Sequence, residues 1–195
     1  MDPREQLAHI LPTLTALVDC IEPAQLNHPT PCSRFTVHDV LDHMIVLGGS
    51  FAFSFRGDDA PETNPPPVYG WVPAAEFRKA MEDLLDAVTS PGAMERTISA
   101  PAGEMPGATF ARFVAFDGLI HGWDLASATG LDYEPAPAVI ASVDEFARGA
   151  LTADMRDGDT FKDATTAPED ATPLQRLVAF SGRSVRFPTA HRPGN

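Results

Sequence analysis

The chain has 195 residues, 44% of them hydrophobic, and 27 acidic against 14 basic side chains give a formal net charge of −13. Phosphate binding needs clustered Lys and Arg, and no basic run exists, so nucleic acid is not an expected partner. No apolar stretch reaches the ~18 residues of a membrane span, the N-terminus lacks the basic start and apolar run of a signal peptide, and Cys20 and Cys32 are too few for a disulfide framework or a cysteine-type zinc site. A cytoplasmic protein with one domain over residues 1–195 is expected.

The first helix is predicted over residues 3–21, where Leu7, Ile10, Leu11, Leu14, Leu17, Val18 and Ile21 recur at helical spacing. Asp2 and Pro3 suit its cap and first position, Pro12 should kink it or split its start, and Cys20 falls on its apolar face as a core residue. Cys32 lies in the Pro29-Thr30-Pro31-Cys32-Ser33 loop. The second helix begins at Thr36, where Thr36-Val37-His38-Asp39 reads as a capping box. It continues through Leu41, His43, Met44, Leu47 and Phe51 to about Phe55.

A Pro-, Gly- and Asp-rich loop is expected over residues 57–72, and Pro73 opens a third helix with Phe77, Met81, Leu84, Leu85 and Val88 on one face. Residues 90–108 read as irregular, with a short extended piece at Thr97-Ile98-Ser99. Thr109 is expected to cap a fourth helix that runs to Ala128 and stops at Gly130. A fifth covers residues 136–151, an acidic polar loop follows over residues 152–171, and Thr172-Pro173 opens a last short helix ending at Ser181. The tail from Arg183 reads as extended or loose. The pattern is mainly α.

The fourth helix carries the chemistry. With Asp117 at the origin of a helical wheel, His121 lies about 40° to one side and Asp124 about 20° to the other. Phe110, Phe113, Val114 and Ile120 all fall within about 60° of the same direction. Two carboxylates and an imidazole therefore occupy an apolar stripe, where a carboxylate needs a partner or a cation. On the second helix His43 stands beside Val40, Met44 and Leu47, with Asp39 one turn earlier. Asp42 points to solvent.

A His on one helix and an Asp-x-x-x-His pair on another can converge inside a bundle, as in metal sites built from facing helices. Two imidazoles and one carboxylate suit Zn²⁺, Ni²⁺, Fe²⁺ or Mn²⁺, with positions left for water or substrate. The same residues also fit a buried hydrogen-bonded cluster without metal. Asp124 reads as a group supporting a ligand, Asp39 as the capping acid, and these two are the nearest candidates for a general acid or base. His9, His28, His38 and His191 read as surface or packing residues. Arg34, Arg78 and Arg112 lie near enough in sequence to be considered for an anionic substrate.

Two stretches carry a family resemblance. The segment from Thr30-Pro31-Cys32 to His43 resembles the "TPC-x-x-W-x-V-x-x-L-x-x-H" opening of the mycothiol-dependent maleylpyruvate isomerase N-terminal family. The segment from Asp117 to Ala126 resembles its "E-x-x-x-H-x-W-D-L-A" signature. The late run from Ala171 to Arg183 is similar to the ending of a short actinobacterial branch. The resemblance implies a DinB-like four-helix bundle with additional short helices, and metal ligands at His43, Asp117 and His121. It also implies a metal, usually zinc, and mycothiol as a cosubstrate. The chain departs from the pattern at Asp117, where the family commonly has Glu, and at Phe35, where it has Trp. It is also too short for the extra C-terminal domain of the true isomerase.

The expected function is metal-dependent thiol chemistry, S-transfer or isomerisation, on a small electrophile, because three protein ligands leave coordination positions open. The alternatives are a metal-holding module that binds or senses a small ligand without turnover, and a structural cluster.

Overall fold

The computed structural model describes residues 1–58, 73–100, 103–156 and 161–186. Six helices dominate: α1 (Pro3–Val18), α2 (Val37–Arg56), α3 (Pro73–Thr89), α4 (Gly107–Thr129), α5 (Pro137–Ala150) and α6 (Pro173–Phe180). A two-stranded antiparallel hairpin, β1 (Thr97–Ala100) and β2 (Gly103–Pro106), precedes α4. This is the mainly helical, DinB-like bundle that the sequence predicts.

Local signals account for most of the boundaries. Asp2 accepts from the Arg4 amide while Glu5 reaches back to the Asp2 amide, so α1 starts on a reciprocal cap. Thr36 and Asp39 do the same for α2, and Thr172 and Gln175 for α6. Helix α1 is not split at Pro12 and runs from Pro3 to Val18, although Pro12 has no N–H to donate to the Ala8 carbonyl. Asp19 ends α1, so the helical spacing stops short of Cys20, which is exposed and not part of the core as expected.

Helix α4 starts two residues before Thr109, its expected cap. Its first amides are satisfied by backbone instead: Gly107 N–H donates to the Arg96 carbonyl at 2.7 Å and Ala108 N–H to the Met94 carbonyl at 2.9 Å. No side chain fits at 107, because a Cβ there would overlap the Ala93 carbonyl. The extended piece predicted at 97–99 is β1, paired through Thr97↔Pro106 and Ile98↔Met105. Most of the expected loop over 57–72, and His191, lie outside the described residues. The described part of 152–171 is irregular, as expected, apart from a 3-10 turn at Ala153–Met155.

Helices α1 to α4 form the bundle, with α1 against α3 and α4, and α2 against α3 and α4. Helix α5 covers α4 and touches α1, and α6 closes over α4 and α5. Surrounded in this way, α4 buries residues on every side, including Phe116, Leu119, Ile120, His121, Trp123, Asp124 and Leu125. Gly118 lets α1 approach, a Cβ there lying 3.1 Å from Ile10 and 3.4 Å from Leu14, and Gly122 makes room for the Tyr133 ring. A central helix held this tightly is a rigid platform for polar side chains that must keep one geometry.

Candidate metal centre

His43 stands on the second turn of α2, and the loop before that helix fixes its surroundings. Thr30 is buried, its hydroxyl donating to the Phe35 carbonyl at 2.7 Å, while the Phe35 amide donates to the Cys32 carbonyl at 2.8 Å. This tight turn sets the Phe35 ring 5.4 Å from the His43 ring. The His43 ring in turn meets the His121 ring edge-on, centroids 5.1 Å apart at 67°. The ligand atoms of His43, Asp117 and His121 all lie within 4.8 Å of one another. Donors about 2.0–2.1 Å from a tetrahedral ion lie ~3.4 Å apart, so small side-chain rotations would close these three on one ion.

His121 has both ring nitrogens committed. Nδ1 is 3.1 Å from the Asp124 carboxylate, which is fully buried, and Nε2 is 3.4 Å from the Asp117 carboxylate. With the Nδ1 proton donated to Asp124, the Nε2 lone pair faces Asp117. Two acceptors face each other there, and a proton or a cation must lie between them. Burial pushes the His121 imidazole down, but the Asp117 charge and the Asp124 hydrogen bond and charge outweigh it, so it is raised overall. His43 is shifted down by burial, with Asp117 opposing and His121 and Arg183 reinforcing. Of the two imidazoles, His121 is therefore the one that holds a proton more readily in the metal-free site, and His43 the one more readily neutral, in the ligating form.

Asp117 is partly exposed, 38% of its side chain accessible, and forms the open edge of the cluster. It also lines a narrow apolar cleft with Met44, Leu47, Phe51 and Val114. The neighbouring Cys32 thiol is pushed up by burial, a shift that the Arg183 charge opposes and Asp124 and Asp117 reinforce, so it stays protonated.

The sequence-predicted residues divide clearly. His43, Asp117 and His121 come together, and Asp124 supports His121. Asp39 is exposed and its carboxylate accepts from the Thr36 amide and hydroxyl at 2.8 and 2.6 Å. Arg78 pairs with Asp19, and Arg112 donates to the Met1 carbonyl. Arg34 is exposed in the loop before α2. Arg183 also reaches the cluster, its Nη2 lying 3.3 Å from Asp124 Oδ2. Sequence reasoning missed it because a tail after a last short helix offers no periodicity to place it.

The fold and the cluster define a class: a helical-bundle protein in which facing helices bring two imidazoles and a carboxylate within reach of one ion. Residues 7–126 match the family described as the mycothiol maleylpyruvate isomerase N-terminal domain, and the chain belongs to that family. It is also 33% identical over 187 residues, 95% of this chain and all of the relative, to uncharacterized proteins from two strains of Mycobacterium tuberculosis. No solved structure matches it at a significant level.

Proposed function

We propose that the protein holds one divalent metal ion, zinc being the best fit, on His43, Asp117 and His121, and uses it in thiol chemistry. The reaction is S-transfer to, or isomerisation of, a small electrophile, with mycothiol as the thiol suggested by the family. The observation that carries this reading is the convergence of His43, Asp117 and His121, whose ligand atoms all lie within 4.8 Å of one another, with His121 Nδ1 3.1 Å from the buried Asp124 carboxylate. A histidine oriented by a buried carboxylate is the usual support for a metal-binding imidazole.

A bound divalent ion would ionise a coordinated thiol near neutral pH and so supply a nucleophile. The chain's own residues do the rest. Asp124 keeps the His121 ring in one tautomer and one orientation. The Phe35 ring covers one side of His43, and the tightly packed α4 restrains Asp117 and His121 one turn apart. The exposed edge of the cluster at Asp117 is where a small molecule would approach.

The test is an assay of thiol conjugation to a general electrophile such as 1-chloro-2,4-dinitrobenzene, with and without prior chelation. Turnover that disappears on chelation and returns with Zn²⁺ supports the reading. Metal binding without any thiol turnover would instead favour a module that binds a small ligand.

A further inference from the structure

The family match ends at residue 126, yet the His121–Asp124 pair meets a side chain from residue 183. The chain after α5 is fixed at several points before it arrives there. The Phe161 ring lies 5.5 Å from the Phe116 ring of α4, and Lys162 Nζ donates to Ser33 Oγ at 2.7 Å, in the loop that seats Phe35 against His43. The Thr165 amide donates to the Ala179 carbonyl at 2.8 Å and its hydroxyl to the Arg183 carbonyl at 2.5 Å. Gly182 adopts φ +95°, and a Cβ there would meet Lys162 side-chain and backbone atoms at 2.7–3.0 Å, so glycine is needed at this turn. The Arg183 amide donates to the Val178 carbonyl at 3.2 Å, which sets the starting point of its largely buried side chain.

Asp124 is fully buried, and both of its contacts fall on one oxygen: Oδ2 is 3.1 Å from His121 Nδ1 and 3.3 Å from Arg183 Nη2, while Oδ1 has no hydrogen-bond partner among the described residues. A carboxylate sealed from water needs a cation beside it. An imidazole that ligates a metal must be neutral and cannot be that cation, whereas a guanidinium keeps its charge. Two donors converging on Oδ2 also fix the rotation of the carboxylate, and so which oxygen the His121 ring meets. We infer that Arg183 is a positioning residue for the metal centre: it anchors Asp124, which in turn aims His121 Nε2 at the place shared with His43 and Asp117. Arg183 touches none of the three ligands in this role and acts only through Asp124. The inference rests on the metal reading above and adds to it a residue from outside the matched domain.

The experiment is a double-mutant cycle on metal binding. Metal-free unaltered protein, Arg183→Gln, Asp124→Asn and the double variant are titrated with Co²⁺ against a chelator of known affinity. The d–d absorption at saturation reports ligand geometry, and circular dichroism checks each fold. Arg183→Gln is expected to bind about tenfold more weakly than the unaltered protein, with an altered d–d spectrum. In the Asp124→Asn background the same substitution should change affinity by less than about twofold, because the residue it acts through is already disabled. The guanidinium also repels a bound ion, and if that were its whole effect Arg183→Gln would bind more tightly. If Arg183→Gln does not fold, Arg183→Lys, which keeps the charge and gives up the planar fork, is read by the same cycle. Affinity unchanged or higher without Arg183, or an equal fall in both backgrounds, overturns the inference while leaving the metal reading standing. No Co²⁺ binding by the unaltered protein overturns that reading and the inference together.

Discussion

His121 and Asp124, three residues apart on α4, are joined by a hydrogen bond sealed from solvent, Nδ1 to Oδ2 at 3.1 Å. The bond decides which nitrogen of the ring can serve a metal. Asp124→Asn removes the charge and allows the amide to present a donor where the ring needs an acceptor. We predict a metal affinity lower by about 10–100-fold, measured by competition with a chromophoric chelator. An affinity equal to that of the unaltered protein would remove Asp124 from any role in orienting the ring.

Asp117 stands at the exposed edge of the cluster. If it ligates, Asp117→Asn should lose most metal affinity, whereas Asp117→Glu should retain binding with an altered metal preference, because the longer arm changes reach and not chemistry. Parallel titrations of Zn²⁺, Ni²⁺ and Mn²⁺ into the two variants check this. Equal loss in both variants would show that the position tolerates only the local packing of Asp.

Protons and metal compete for His121. Its pKa in the folded protein is raised above the ordinary 6.5, the Asp117 and Asp124 contributions outweighing burial, while that of His43 is lowered, chiefly by burial. The sign follows. In metal-free protein the His121 contribution to stability is fully present below about pH 6.5 and is lost as pH rises through the folded-state value. His43 acts the other way, costing stability as pH falls below about 6.5. Metal binding near pH 6.5 should therefore release protons, drawn mainly from His121, and the release should fade at higher pH while apparent affinity rises. Calorimetric titration in buffers of different ionisation enthalpy reads the proton count directly. No proton release near pH 6.5 would contradict the assignment of the proton to His121.

Gly122 is the point at which α4 and Tyr133 touch. A Cβ at 122 would overlap the buried Tyr133 ring, so Gly122→Ala should destabilise the fold by about 1–3 kcal/mol despite its better helix propensity. Gly49, on α2 with nothing near its would-be Cβ, is the control. Gly49→Ala should be neutral or stabilising by up to about 1 kcal/mol. Urea unfolding of both variants separates packing from propensity.

Much of this was legible in the sequence. The helices announced themselves through apolar spacing and caps such as Thr36/Asp39 and Thr172/Gln175, because these signals act over one or two turns. The cluster was legible because Asp117 and His121 share one helix face and the motif around His43 resembles a known pattern. What escaped depends on contacts between distant segments. The start of α4 is set by backbone carbonyls of residues 94 and 96, which no local propensity reveals. Cys20 looked buried because the helical period was extended past Asp19, where the helix in fact ends. Arg183 reaches the site from an irregular segment whose position is fixed by Gly182, Thr165 and Lys162. The only hint was a basic residue directly after a glycine at the end of a helix.

His43, Asp117 and His121 are proposed to hold one metal ion. Purified protein, freed of metal by chelation and dialysed, is titrated with Zn²⁺ alongside His43→Ala and His121→Ala, with circular dichroism confirming the fold of each. One tightly bound ion per chain is expected, with a loss of at least about 100-fold in affinity for either variant, since each removes one of three protein ligands. No binding by the unaltered protein, or undiminished binding by folded His43→Ala and His121→Ala, would contradict it.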